Sequence, residues 1–449
     1  MLSKENAYTL PFAIVLFELF FLRTGKFSIN FRDYRILLLI GAFISFVLLV
    51  LFKFSLSIFN PIAPDFTNDY RTITPLNYLL TQFSVIIKYI QLLFLPISQN
   101  FDYDFKLSNN FFEIKTLLSF IVLLSCGAAA LFLFNKNRIV SFCIFWFLLT
   151  LSVESSIIPI DDLIVEHRTY LPSFSFFLII SSGIYFLLWN EHKYLAASIL
   201  AIIIVSNSFL TYERNKVWRN ELSLWSDVVT KSPDKARPFA NRGCALFLEN
   251  KIYAAIDDFN KAIELQPSYT KAYFNRGVVY INANRNTEAL NDFNKVIEQR
   301  SDFGEAYLNR GLLFEKEKKH ALAIADFNKA ISLDTNFTLS YFNRGNAFLN
   351  TNRNDEAISD YNKVIKQKPD FAEAYHNLGM AFYSKESNEE AISNYSKAIE
   401  LKKDYAEAFY NRGFPEYDSG KKDIACIDWK KAIELGYQPA TQIYNKFCH

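Results

Sequence analysis

The chain has 449 residues, 51% of them hydrophobic and 21% charged, and its formal net charge is +2. That balance leaves no strongly basic face to neutralise phosphates, so no nucleic-acid partner is expected. The averages hide a division, with long apolar runs in the first 210 residues and a charged, evenly patterned chain beyond Thr211.

A membrane-spanning helix needs about 20 mainly apolar residues. Ala7–Leu22 is the first candidate, weakened by Pro11 and Glu18, and Ile36–Leu51 is the second. Arg23 and Lys26 follow the first run where a small-residue cleavage site would stand in a signal peptide. Thr74–Leu95 is apolar but interrupted by Asn77, Gln82, Lys88 and Gln91, which suits a tilted, re-entrant or interfacial helix at 74–95. Leu117–Phe134, Ile139–Val153, Leu171–Trp189 and Tyr194–Leu210 complete about six spans within 1–210.

Lys and Arg in the connections orient such a bundle. Residues 23–35, 135–138 and 190–193 carry seven basic residues in 21 positions: Arg23, Lys26, Arg32, Arg35, Lys136, Arg138 and Lys193. The opposite connections, 53–75, 96–116 and 154–170, carry five in 61. The dense set is expected in the cytoplasm, which puts the C-terminal half outside it. This reading makes the chain an integral membrane protein, of the inner membrane in a bacterium, and it requires 74–95 not to cross.

Residues 211–235 read as a junction with a cap helix, in which Trp218, Leu222, Trp225 and Val229 have helical spacing. From 236 to 437 the sequence repeats every 34 residues. Gly recurs at 243, 277, 311, 345, 379 and 413, and Ala at 255, 289, 323, 357, 391 and 425. Aromatics recur at Phe259, Phe293, Phe327, Tyr361, Tyr395 and Trp429. A second aromatic set stands four residues before each Gly. The pattern resembles the tetratricopeptide repeat (TPR) family. The resemblance implies two helices per repeat, crossing closely at the small residues, with aromatics between neighbouring repeats and a concave face that binds protein or peptide. Residues 438–449 read as a C-terminal cap. The fold class is therefore all-α, a polytopic transmembrane helix bundle followed by a TPR superhelical solenoid.

Asn precedes each repeat glycine by two, as Asn241, Asn275, Asn309, Asn343, Asn377 and Asn411, and Arg follows it everywhere except at Leu378. Such a ladder can hydrogen-bond an extended peptide backbone, or bond within the array instead. Cys126, Cys143, Cys244, Cys426 and Cys448 show no CxxC spacing and no His at ligand spacing, so neither a metal site nor a disulfide framework is expected.

No nucleophile elbow, phosphate loop or metal-helix motif occurs, and no catalytic residue is assigned. Polar residues at the edge of the apolar half stand out: Asp102 and Asp104 after Pro96, and Glu166, His167, Arg168 and Tyr170 before an apolar run. The second cluster suits a membrane lipid, with Arg168 forking a lipid-linked phosphate, or else anchors a helix end. The segments LSKENAYTLPF, LLFLPISQNFDYDF and VEHRTYLPSFSFF, with the junction TYERNKVWRNELSLWSDVVTKSP, resemble the transmembrane-and-TPR O-mannosyltransferases (TMTC-like, GT-C superfamily) and their bacterial relatives. The resemblance implies a polyprenyl-phosphate-linked sugar as donor, no other cofactor, and a protein acceptor on the repeats. In that family the first of these segments follows upstream helices and an acidic catalytic loop. Here it starts at residue 2, so the N-terminal part is expected to be lacking. The alternative is a non-enzymatic membrane-anchored scaffold.

Overall fold

The computed structural model describes residues 74–96, 99–103, 105–152 and 169–448, with Leu16, Phe17, Phe20, Phe21 and Ile164 besides. The expected span Ile36–Leu51, most of Ala7–Leu22, the loop 23–35, Asp104 and Glu166–Arg168 lie outside the described residues. Among these residues the regular structure is helical, with no strand. The chain divides into two compact units, Met1–Ala245 and Leu246–His449.

In the first unit, α1 (Pro75–Phe94) is followed by α2 (Ile114–Leu133), α3 (Arg138–Ser152) and α4 (Tyr170–Val217). Two of these, α2 and α4, are long and apolar enough to cross a membrane. Their apolar side chains are left open on the molecule, Leu131 at 65%, Leu187 at 82% and Val205 at 67% exposure, unlike those of a soluble core helix. α4 has 48 residues and a non-helical His192 inside it. The break falls in the connection expected at 190–193, so α4 contains both predicted runs. α3 runs antiparallel to α2 and α4, with Ser141 Oγ donating to Ala130 O at 2.6 Å and Trp146 Nε1 approaching Leu171 O at 3.4 Å.

α1 behaves differently from its neighbours. Thr74 caps its N-terminus and Pro75 opens its first turn. Tyr78, Gln82, Val85 and Tyr89 are wholly buried. Near its N-terminus it meets the start of α2: Thr81 Oγ1 accepts from Ser108 N at 2.8 Å, Thr116 donates to Ser108 Oγ, and Phe83 lies against Phe120. At its other end Phe94 meets Phe176 edge-on at 4.5 Å, near the start of α4. Both ends of α1 thus touch the same end of the α2–α4 helices.

The loop after α1 grips the junction. Asp102 is buried, with Oδ1 3.0 Å from Lys235 Nζ and Oδ2 2.7 Å from Arg237 Nε. Asn100 donates to Ser232 Oγ at 2.8 Å, and Lys231 Nζ donates to Gln99 O at 2.6 Å. Phe101 stands edge-on to Trp218 and Trp225, each at 5.4 Å. The cap helix α5 (Glu221–Lys231) begins with a capping box between Asn220 and Ser223. Trp218 ends α4 rather than belonging to α5.

The repeats are helix pairs. The first helices are α6 (Ala236–Leu248), α8 (Thr270–Asn282), α10 (Gly304–Lys316), α12 (Thr338–Asn350), α14 (Ala372–Tyr383) and α16 (Ala406–Asp418). The second helices are α7 (Ile252–Leu265), α9 (Asn286–Gln299), α11 (His320–Leu333), α13 (Asn354–Gln367), α15 (Asn388–Leu401) and α17 (Lys422–Glu434), and α18 (Pro439–Phe447) caps the array. Glycine is required by contact: a Cβ on Gly311 would stand 2.7 Å from Phe327 Cε1, and one on Gly345 2.8 Å from Tyr361 Cε1. The recurring ring therefore fills the space inside its own repeat, over the glycine on the facing helix, and also reaches the next repeat as expected, Phe327 clustering with Ala347 and Tyr361 with Leu378 and Ala381.

Each turn between paired helices is closed by one left-handed residue: Asn250, Asn284, Lys318, Asn352, Glu386 and Gly420. The following N–H reaches five residues back, as in Lys319 N to Phe314 O at 2.8 Å, which ends the first helix. One expectation is overturned: Cys426 and Cys448 form a disulfide. The absence of a motif spacing did not predict pairing, because α18 folds back on α17 and brings the Cα atoms within 5.7 Å.

Candidate functional site

The asparagine ladder lies on the first helices, every member half-buried. Asn309 Nδ2 donates to Glu305 O and Asn343 Nδ2 to Leu339 O, both at 2.8 Å. These bonds to the preceding turn orient the side chain and leave the carboxamide oxygen for another donor. The two C-terminal members differ. Asn377 Nδ2 donates to Asn346 Oδ1 at 2.8 Å, and its own oxygen accepts from His376 Nδ1 at 3.1 Å. Asn411 Nδ2 donates to His376 Nε2 at 2.8 Å.

In four of the repeats the residue after this Asn does structural work that the sequence reading missed. Arg276, Arg310, Arg344 and Arg412 fork onto Asp292, Asp326, Asp360 and Asp428, sixteen residues on, with both bonds between 2.6 and 2.8 Å. The third nitrogen, Nη1, crosses to the preceding repeat, to Asn260, Asn294, Asn328 and Ser396. Burial pushes the Asp292 and Asp360 carboxyls above their ordinary range, against the pull of their Arg partners. In the fifth repeat Leu378 replaces Arg and Asn394 replaces Asp. That paired change was the available signal.

His376 takes a position filled by Phe274, Leu308, Phe342 and Tyr410 elsewhere. It is buried, with its ring against Tyr395 at 5.6 Å and Tyr405 at 5.0 Å. An amide N–H facing Nε2 and a carbonyl oxygen facing Nδ1 fix the neutral tautomer with its proton on Nδ1. Burial lowers its pKa from the ordinary value, opposed by Glu407, the Asn377 bond and Glu373.

At the apolar half, Tyr170 opens α4 and is 81% exposed. A cavity of about 180 Å³ is lined by Thr169, Leu92, Phe177 and Leu210 together with the polar Asn207 and Arg214. Arg214 is held by Asp227 at 2.7 Å. Asp102 is committed to Lys235 and Arg237, which makes it an anchor of the junction. Among the described residues no group of His, Cys, Asp and Glu could hold a metal ion.

Family profiles described as TPR repeat match residues 243–284, 345–385 and 379–414, and those described as Tetratricopeptide repeat match 270–303 and 304–337. The chain is 29% identical over 163 residues to Protein O-mannosyl-transferase Tmtc3 of Drosophila melanogaster, covering 34% of this chain and 17% of that protein. It is 26% identical over 115 residues to Protein O-mannosyl-transferase TMTC3 of Homo sapiens, covering 24% and 12%. The matched stretches thus span less than a fifth of these relatives. Among solved structures it is similar to YrrB, titled a TPR protein with an unusual peptide-binding site, at 28% identity and a TM-score of 0.38, covering 41% of this chain and 95% of that one. It is also similar to MamA, at 24% identity and a TM-score of 0.36, covering 38% and 94%. The C-terminal half of this chain is an array of tetratricopeptide repeats, joined to an apolar helical half, with weak similarity to the O-mannosyl-transferases.

Proposed function

We propose that this chain is a membrane-anchored repeat protein of the O-mannosyltransferase lineage. Its helices hold the array at the membrane, and its repeats bind an extended segment of a protein acceptor. The observation that carries the binding reading is the pair Asn309 and Asn343, oriented by their own helices with the carboxamide oxygen still available. A backbone N–H of an extended peptide is a matching donor. The anchoring reading rests on the open apolar surfaces of α2 and α4. α1, whose two ends meet the same end of the bundle, is read as an interfacial helix. The junction and the loop 96–113 then share one side, opposite the basic turn 135–138, and the repeats lie outside the cytoplasm.

In this reading the polyprenyl-phosphate of a sugar donor approaches Glu166, His167, Arg168 and Tyr170. Arg168 supplies the fork for phosphate, and His167 a second donor. The similarity to the O-mannosyl-transferases favours this over a pure scaffold. Two experiments test the two halves. Replacing Asn309 and Asn343 together by Ala should abolish photocrosslinking of a protein partner from the neighbouring Leu312 while the helical signal stays intact. Unchanged crosslinking sinks the peptide ladder. Mannose transfer from polyprenyl-phosphate mannose to an acceptor in membranes carrying the full chain supports the enzyme lineage. Its absence, with partner crosslinking retained, leaves the scaffold.

A further inference from the structure

We propose that the Cys426–Cys448 disulfide is a redox-controlled lock on the end of the repeat array, closed where the repeats meet an oxidising compartment. This goes beyond the binding reading and shares with it only the anchored topology.

The cap needs such a lock. α18 has nine residues, shorter than the roughly 12 at which an isolated helix becomes even marginal in water. Of its side chains only Ala440 is fully buried, and Phe447 packs 4.9 Å from the Tyr417 ring and 5.9 Å from that of Trp429. The bond fastens the far end of α18 to the middle of α17, while the near end is turned by Gly436 and held by Tyr437 N donating to Ala432 O at 2.9 Å. What lies beneath is the side of the sixth repeat on which a seventh would stack, and solenoid ends left bare there associate or fray.

The chemistry balances simply. Two S–H bonds break and one S–S bond forms. Two protons and two electrons pass to the disulfide of a thiol–disulfide oxidoreductase, which leaves as a dithiol. Cys426 and Cys448 are only half-buried, so a thiolate can reach them. The other three cysteines form no disulfide. A structural disulfide belongs to oxidising compartments. The same side of the membrane follows independently from the basic turn 135–138, which lies at the end of the bundle away from the junction.

The test uses the full chain in its own membranes. Thiols are trapped with N-ethylmaleimide in intact cells, then reduced and labelled with iodoacetamide. Cys426 and Cys448 should carry only the second label, and Cys244 the first. Maleimide on both members of the pair overturns the lock. Chymotryptic cleavage after Tyr444 should then rise roughly tenfold or more on reduction, and equally in Cys448→Ser without reductant, while Cys244→Ser behaves as the parent. Cleavage unchanged by reduction overturns the locking role. An alkaline phosphatase fused after His449 reads topology separately. Active phosphatase with trapped thiols removes the lock alone, and silent phosphatase removes the lock and the topology together.

Discussion

Arg310 and Asp326, on the two helices of one repeat, hold each other by a two-point fork, Nε to Oδ2 at 2.8 Å and Nη2 to Oδ1 at 2.7 Å. The Asp326 side chain is 8% exposed and that of Arg310 20%, so removing one partner strands the other where water reaches it poorly. Asp326→Ala should cost about 2–4 kcal/mol in urea unfolding of the full chain. The combination Arg310→Leu with Asp326→Asn copies the fifth repeat and should recover most of that loss, since an apolar replacement of a buried pair is often neutral. A double variant as weak as Asp326→Ala refutes this account of Leu378 and Asn394.

Gly311→Ala should destabilise the array by about 1–3 kcal/mol, because the added Cβ meets the buried Phe327 ring at 2.7 Å. Pairing it with Phe327→Leu should cost less than the sum of the two single changes. Thermal melts of the four proteins give the coupling, and strict additivity contradicts the contact.

Lys318 sits at φ 59, a conformation that costs a side-chain-bearing residue about 1 kcal/mol. Gly420 fills the equivalent turn at φ 81 without that cost. Lys318→Gly should therefore raise stability by roughly 0.5–1 kcal/mol, less the added freedom of the unfolded chain. A lower melting temperature argues against strain at this turn.

His376 carries a pH dependence with a definite sign. Its folded pKa lies below the ordinary value of 6.5, so the unfolded chain binds the proton more readily. Its contribution is present above about pH 6.5 and is lost as pH falls toward the folded value. The groups facing it are Asn377 on its own helix, Tyr395, Tyr405, and Glu407 and Asn411 on α16, with Glu373 one turn earlier. Between pH 7.5 and 5.5 the melting temperature should fall more in the parent than in His376→Phe. Parallel pH profiles eliminate His376 as the source.

The repeat half was legible because its signals are local and periodic: one glycine, one alanine and one ring at fixed offsets define where two helices touch. The Arg–Asp forks were legible in principle, since Asp292, Asp326, Asp360 and Asp428 recur with the same period. The bonds from Asn100 to Ser232 and from Asp102 to Lys235 join residues more than 130 positions apart, and no spacing rule reaches that far. The Cys426–Cys448 bond escaped for a related reason, because it depends on the path of the chain after Gly436. The break at His192 was readable from the polar turn between two apolar runs.

The arginine that reaches back to the preceding repeat has a consequence for how the array comes apart. Arg276, Arg310, Arg344 and Arg412 each stitch a second helix of one repeat to the next. Between the fourth and fifth repeats that stitch is absent, because Leu378 has no guanidinium to offer Asn362. The polar ties that remain there are the neutral one from Asn377 to Asn346 and a solvent-exposed pair between Lys385 and Asp355, which water screens. In a chain of nearest-neighbour couplings the weakest joint sets the size of the cooperative blocks. The array is therefore scored, like a perforated strip, in front of its last two repeats, and those two, closed by their own disulfide, form the piece that opens on its own.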